Sequence, residues 1–146
     1  VRTLGIDFGL KRVGLALSDP RGALAFPYRT ITRTTRDALF AELLGVIEAE
    51  GVEAVVIGLP LTLDGGESTT TRQARNFAAS LARRTPLPVA LMDERLSSAA
   101  ADDDLDAAGL RDHARRKAAR DQQAAVRILQ THLDQRGPGP GARGGA

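Results

Sequence analysis

Three acidic positions could do chemistry together: Asp7, the adjacent pair Asp93 and Glu94, and Asp121. Asp7 lies in the run GIDFG, and in an extended strand its side chain points away from the face used by Ile6 and Phe8. A carboxylate there is costly to bury unless it is paired or bound to a cation; the plainer reading is a turn aspartate before Gly9. Asp93 and Glu94 close the run VALMDER, so one acid faces a site at the sheet edge and the other faces away, unless Arg95 simply neutralises a loop acid. Asp121 lies three and four residues before Ala124 and Ala125, and seven and eight before Ile128 and Leu129, which places it on the inward stripe of a helix. An acid favoured by the dipole at a helix start is the alternative. Carboxylates without cysteine or histidine partners suit hard cations such as Mg²⁺ or Mn²⁺. One or two such ions, about 4 Å apart when paired, activate water and stabilise the leaving oxygen in phosphodiester hydrolysis. His113 and His132 are isolated, and neither Ser18-Asp19 nor Ser97-Ser98 has an evident histidine base.

The elements that must position these acids are legible from periodicity. TLGIDFG and VGLALSD read as a hairpin, and ALAFPYRTI as a third strand in which Pro27 implies an edge or a bulge. Thr34 or Thr35 caps a helix to about Glu50, with Leu39, Leu43, Val46 and Ile47 inward and Gly51 as the stop. EAVVIGLP is a strand apolar on both faces. After the loop LTLDGGEST, a helix from about Thr70 to Arg84 turns Ala74, Phe77, Ala78 and Leu81 inward, and VALMDE is the fifth strand. A weak helix starting near Ser97 or Ser98 is expected through the acidic run, then a last helix from about Ala118 to Leu133. This order predicts an α/β fold, a mixed five-stranded sheet covered by helices, with ligands gathering beyond the carboxyl ends of its parallel strands. Residues 1–136 form one domain, and the tail GPGPGARGGA (137–146) is expected to be disordered.

Bulk properties narrow the function. The 146 residues suffice for one domain with a real core. No apolar stretch approaches the ~20 residues of a membrane span, and the start VRTLGIDFG lacks a signal design, so a cytoplasmic protein without membrane partners is expected. Zero cysteines exclude disulfides and thiolate metal sites. The net charge is only +2, yet it is unevenly placed. Asp93–Asp106 holds six acids against Arg95, and Arg111–Arg136 holds seven bases against three acids. An acidic patch beside a basic one suits a metal-dependent enzyme acting on a polyanion; two solvated helix faces are the bland alternative. Only Lys11 and Lys117 are lysine, so arginine, which grips phosphate bidentately, supplies nearly all the positive charge. Aromatic residues are 3% of the chain, too few for a base-stacking platform of the RRM or OB type.

Two resemblances follow. DFGLKRVG resembles the first phosphate loop of actin-like ATPases and sugar kinases, with Gly9 and Gly14 giving backbone access; those proteins need two domains and a second loop, and one chain of this length has room for one. More specifically, GIDFGLKRVGLALSD, VVIGLPLTLDGGES, MDERLSS and KAARDQQAAVRILQ occur together in the order and approximate spacing of the YqgF/RuvX family. The resemblance covers nearly all of Thr3–Leu133. It implies a ribonuclease-H-like fold related to the RuvC resolvases and a nuclease for the 5′ end of pre-16S rRNA, with resolution of four-way DNA junctions as the alternative. Helices are expected on both sheet faces, and the protein as a monomer or, as symmetric junction cleavage would need, a homodimer. A non-catalytic nucleic-acid-binding module of the same fold is the rival from another class. Carried over by motif, Asp7 matches the first-strand acid, Glu94 the acid of the DER motif, Asp121 the acid of the final helix, Arg12 the basic residue of the first motif, Lys117 a recurrent lysine four residues before Asp121, and Asp64 the loop aspartate. The three acids are expected to hold the metal, and Arg12, Arg95, Lys117 and Asp64 are expected to serve substrate binding. RuvC relatives carry a glutamate where this chain has Gly58, which implies that the second acid comes from Glu94 on the neighbouring strand.

Overall fold

The computed structural model describes residues 1–96 and 113–136, with the backbone alone for 96, 113–119 and 136. Five strands, β1 (Thr3–Phe8), β2 (Arg12–Ser18), β3 (Ala25–Thr32), β4 (Ala54–Leu59) and β5 (Val89–Asp93), form one sheet in the order β3-β2-β1-β4-β5. The β1–β2 and β2–β3 pairs are antiparallel, while β1–β4 and β4–β5 are parallel. The ends of β1, β4 and β5 therefore share one edge of the sheet. Helices α1 (Arg36–Glu50) and α2 (Thr69–Ala82) cover one face, and α3 (His113–Arg136) covers the other. The expected mixed sheet between helices is the observed architecture.

Alternation sorts the side chains between the layers. Leu4 and Ile6 of β1, Val13, Leu15 and Leu17 of β2, and Val55 and Ile57 of β4 meet Leu39, Phe40, Leu43, Phe77 and Leu81 of α1 and α2. Ala16, Val56 and Met92 face the opposite way and meet Ala125, Ile128, Leu129 and Leu133 of α3. Asp7, two residues beyond Gly5, falls on this second face. β4 is buried along its whole length, as its unbroken apolar run requires. β3 is one of the two edge strands, and the register slips opposite Leu15 and Ala16, so Pro27 sits beside a bulge that needs no regular ladder bond.

The caps refine the expected helix bounds. Thr35 Oγ1 accepts from the Ala38 N–H at 3.1 Å, and Gly51 closes α1 at φ 65°. α2 starts one residue earlier than its apolar pattern suggests, because Ser68 and Thr71 form a reciprocal capping box, and it ends at Ala82. α3 is longer at both ends than its apolar stripe, because Ala, Arg, Lys and Gln are strong helix formers without needing burial. The strand VALMD stops at Asp93, and Glu94 opens a 3₁₀ turn, Glu94–Leu96, instead of ending the strand. The expected weak helix through the acidic run, and the tail 137–146, lie outside the described residues. Among the described residues no helix is long and apolar enough to cross a membrane.

Candidate active site

Helix α3 lies close on the sheet because three positions beneath it carry no side chain. A Cβ on Gly5 would lie 2.7 Å from Leu129 Cβ, one on Gly14 would lie 2.0 Å from the Asp121 carbonyl oxygen, and one on Gly58 would lie 2.4 Å from Ile128 Cδ1. Three strands thus each contribute a glycine to a bed on which the helix rests. Gly14 is the cross-strand partner of Asp7, so the contact that seats Asp121 on the sheet also brings it beside Asp7.

Glu94 completes the group from the far side. Its Cγ and Cδ lie 2.7 and 3.0 Å from where a Cβ on Gly58 would be, so the glutamate fills the space above that glycine. There its carboxyl shares a hydrogen bond with Asp7. Burial, then the bond to Asp7 and the charges of Asp7 and Asp93, push Glu94 up to about 9. Burial and the charge of Asp121 also raise Asp7, against the opposing effect of the bond from Glu94. Burial and mutual repulsion thus favour one proton shared between the two carboxyl groups over two separate charges. Two crowded, half-buried acids sharing a proton form a place where a cation can replace that proton.

Asp121 sits close enough to influence Asp7 but is engaged elsewhere. Arg12 Nε donates to its Oδ2 at 2.6 Å. Arg12, at the start of β2, thus holds an acid in this arrangement, and a substrate phosphate would have to compete for it. Among the described residues no three acids or histidines are grouped tightly enough to hold a metal ion. Asp7 and Glu94 offer a hard oxygen pair that fits Mg²⁺ or Mn²⁺, and Asp121 joins them only by leaving Arg12.

The other expected site residues have different surroundings. Asp93 faces away from Glu94 and binds Arg95 through both carboxylate oxygens, Nε donating to Oδ1 at 3.0 Å and Nη2 to Oδ2 at 2.5 Å. Arg95 Nη1 also donates to the Leu63 carbonyl at 3.2 Å, so this arginine ties the end of β5 to the loop after β4. Asp64 lies in that loop and closes its turn, accepting from Thr62 Oγ1 and from the Gly66 N–H at 2.9 Å. The Thr62 bond, the Gly66 N–H and the nearby Arg95 charge keep Asp64 below the usual carboxylate range. Lys117 is on α3, one turn before Asp121; its side chain lies outside the described residues.

Two features escaped the sequence reading. The glycine bed was not anticipated, although glycine inside three apolar strands was a signal for it. Nor was a column of three phenylalanines on the opposite sheet face, Phe8 on Phe77 at 4.3 Å and Phe77 on Phe40 at 5.5 Å. Its members are far apart in sequence, and only the topology stacks them.

A family model described as RuvX, Holliday junction resolvase, matches residues 1–135. The chain belongs to the RuvX family. Among RuvX relatives, a protein of Maridesulfovibrio salexigens named "Putative pre-16S rRNA nuclease" is 61% identical over 91% of this chain and 98% of its own length. One of the same name from Lawsonia intracellularis is 45% identical over 92% of this chain and 94% of its own. In three dimensions this RuvX chain is similar to Thermus thermophilus RuvC in complex with a Holliday junction substrate. The TM-score is 0.61 at 17% identity, covering 93% of this chain and 95% of RuvC. At that identity the likeness shows the ribonuclease-H-like fold of RuvC and no more.

Proposed function

We propose that this protein is a divalent-metal-dependent endonuclease that trims the 5′ end of pre-16S rRNA. The observation that carries the reading is the hydrogen-bonded pair of Asp7 and Glu94 at the carboxyl edge of the parallel strands, with Asp121 beside it. Asp7, Glu94 and Asp121 would hold one or two Mg²⁺ or Mn²⁺ ions. Such an ion, when bound, activates water and screens charge on the phosphate. Asp7 and Glu94 give up their shared proton to make the site. Arg12, displaced from Asp121, is then placed to receive a phosphate oxygen of the strand, a contact that positions the backbone without reading sequence. Lys117, one turn before Asp121 in the chain, and Arg95 are the further bases assigned to substrate binding, and Asp64 orders the loop that Arg95 holds.

The names of the 61% and 45% identical relatives support ribosomal RNA as the substrate. A second reading, resolution of four-way DNA junctions, is favoured by the description of the matching family and by the fold likeness to RuvC. The deciding experiment offers a pre-16S rRNA 5′ fragment and a four-way DNA junction to wild type and to Asp7→Asn, each with Mn²⁺. Cleavage of the RNA by wild type alone is expected. Preference for the junction would favour the second reading. Binding of both with cleavage of neither would make the protein a non-catalytic module, and equal cleavage by Asp7→Asn would remove the carboxylates from the mechanism.

A further inference from the structure

On the sheet face opposite the carboxylates, a cleft of about 470 Å³ opens between the β1–β2 turn, the start of α1 and helix α2. That is the size of a small-molecule site. Its floor is the edge of the phenylalanine column together with Leu39. Its rim carries two guanidinium groups. Arg33 lies 4.5 Å over the Phe8 ring and donates through Nη1 to the Gly9 and Leu10 carbonyls at 2.9 and 3.0 Å. Arg36 lies over Phe40 and donates to Ser80 Oγ. Both cations are fixed in place by the protein's own contacts, so a ligand meets charge that is already oriented. On α2, Gln73 and Asn76 stand exposed one turn apart and line the same cleft, offering amide donors and acceptors. Among the described residues lining it, none is acidic.

An apolar floor, paired amides and a cationic rim match three parts of one ligand: a flat base, its hydrogen-bonding edge and its phosphate. We propose that this cleft takes a nucleotide of a single-stranded segment of the nucleic acid on which the protein acts. The proposal rests on the reading of the protein as one that acts on nucleic acid. The two sites are neighbours through β1. Asp7 and Phe8 are consecutive, about 3.8 Å apart at Cα, and point to opposite faces of the sheet near its edge. A strand crossing that edge can present a phosphate to the acids and place an adjoining unpaired nucleotide in the cleft. Single-stranded nucleotides, with their base edges free, are what such a cleft can read.

The test titrates the ¹⁵N-labelled full chain in EDTA, where no cleavage intervenes, with a 5′-phosphorylated single-stranded RNA hexamer and separately with AMP. The hexamer is expected to shift the amides of Leu10, Thr35, Gln73 and Asn76. The double variant Gln73→Ala/Asn76→Ala is expected to weaken its binding at least tenfold with an unchanged circular dichroism spectrum. Shifts confined to other surfaces, or a Kd within twofold of wild type, overturn the proposal. Saturation of the same amides by AMP with no competition from the hexamer overturns the strand as occupant. Should the double variant misfold, the wild-type shifts alone decide. A hexamer that binds elsewhere while Mn²⁺-dependent cleavage persists defeats this site only; binding in the cleft without cleavage defeats the nuclease reading only.

Discussion

The carboxylate arm of Glu94 occupies the space above Gly58, with its Cγ 2.7 Å from the position a Cβ on that glycine would take. The acid on β5's end and the missing side chain on β4 are two halves of one arrangement. A methyl group at position 58 must displace both Glu94 and Ile128, each of which can yield through its side chain. Gly58→Ala is therefore expected to cost about 1–3 kcal/mol of stability, the usual range for overpacking. It should also lower cleavage by moving Glu94 off Asp7. Urea denaturation and single-turnover kinetics check the two effects; a variant with wild-type stability and rate would remove Gly58 from the design of the site.

Gly14 is a harder case. A Cβ there meets the Asp121 backbone oxygen at 2.0 Å, and a helix backbone cannot rotate out of the way. Gly14→Ala is expected to lose about 3 kcal/mol, at the upper end of overpacking costs, because α3 must lift from the sheet. Its melting temperature should fall further than that of Gly58→Ala. The reverse ranking would show that the helix is not seated on β2 at this point.

The strands and the first two helices were legible because each carries its own periodicity and punctuation, such as Thr35 before α1 and Gly51 after it. The phase of the MDER segment was not settled by pattern alone. Continuous alternation would put Glu94 in the strand, whereas the chain turns into a 3₁₀ helix after Asp93. The bidentate bond from Arg95 holds Asp93 outward at that turn and leaves Glu94 to point at Asp7. The Arg12–Asp121 pair was also beyond reach, because a contact spanning 109 residues leaves no local trace.

Acidity gives a separate test. Glu94 rises from 4.5 to about 9 on folding, and Asp7 rises as well. A group whose folded value is raised contributes its stability fully below the unfolded value and loses it as the pH climbs toward the folded one. The metal-free protein should therefore melt at progressively lower temperature from about pH 5 to pH 9, and Glu94→Gln should flatten that decline. If Mn²⁺ binds in place of the shared proton, it should raise the melting temperature more at pH 8 than at pH 5. A wild-type profile in EDTA that is level across this range would contradict the proton-sharing pair.

Arg12 and Asp121 predict opposite effects on two ligands. Their side chains are 32% and 19% exposed, so the pair contributes under about 1 kcal/mol to stability. Arg12→Gln should leave the fold intact, release Asp121 and tighten Mn²⁺ binding in calorimetry. The same change should weaken nucleic-acid binding, because one phosphate contact is lost. Weaker Mn²⁺ binding in this variant would mean that Arg12 assembles the metal site instead of competing with the ion.

The glycine bed under α3 also sets the order in which activity can appear. Synthesis proceeds from the amino end, and Arg12 leaves the ribosome 109 residues ahead of its partner Asp121. Until α3 has emerged and settled on Gly5, Gly14 and Gly58, the sheet lacks both its cover and its third carboxylate. A nascent chain therefore carries only part of the constellation while it is still beside the ribosome's own RNA, and the three acids meet only once α3 has been made.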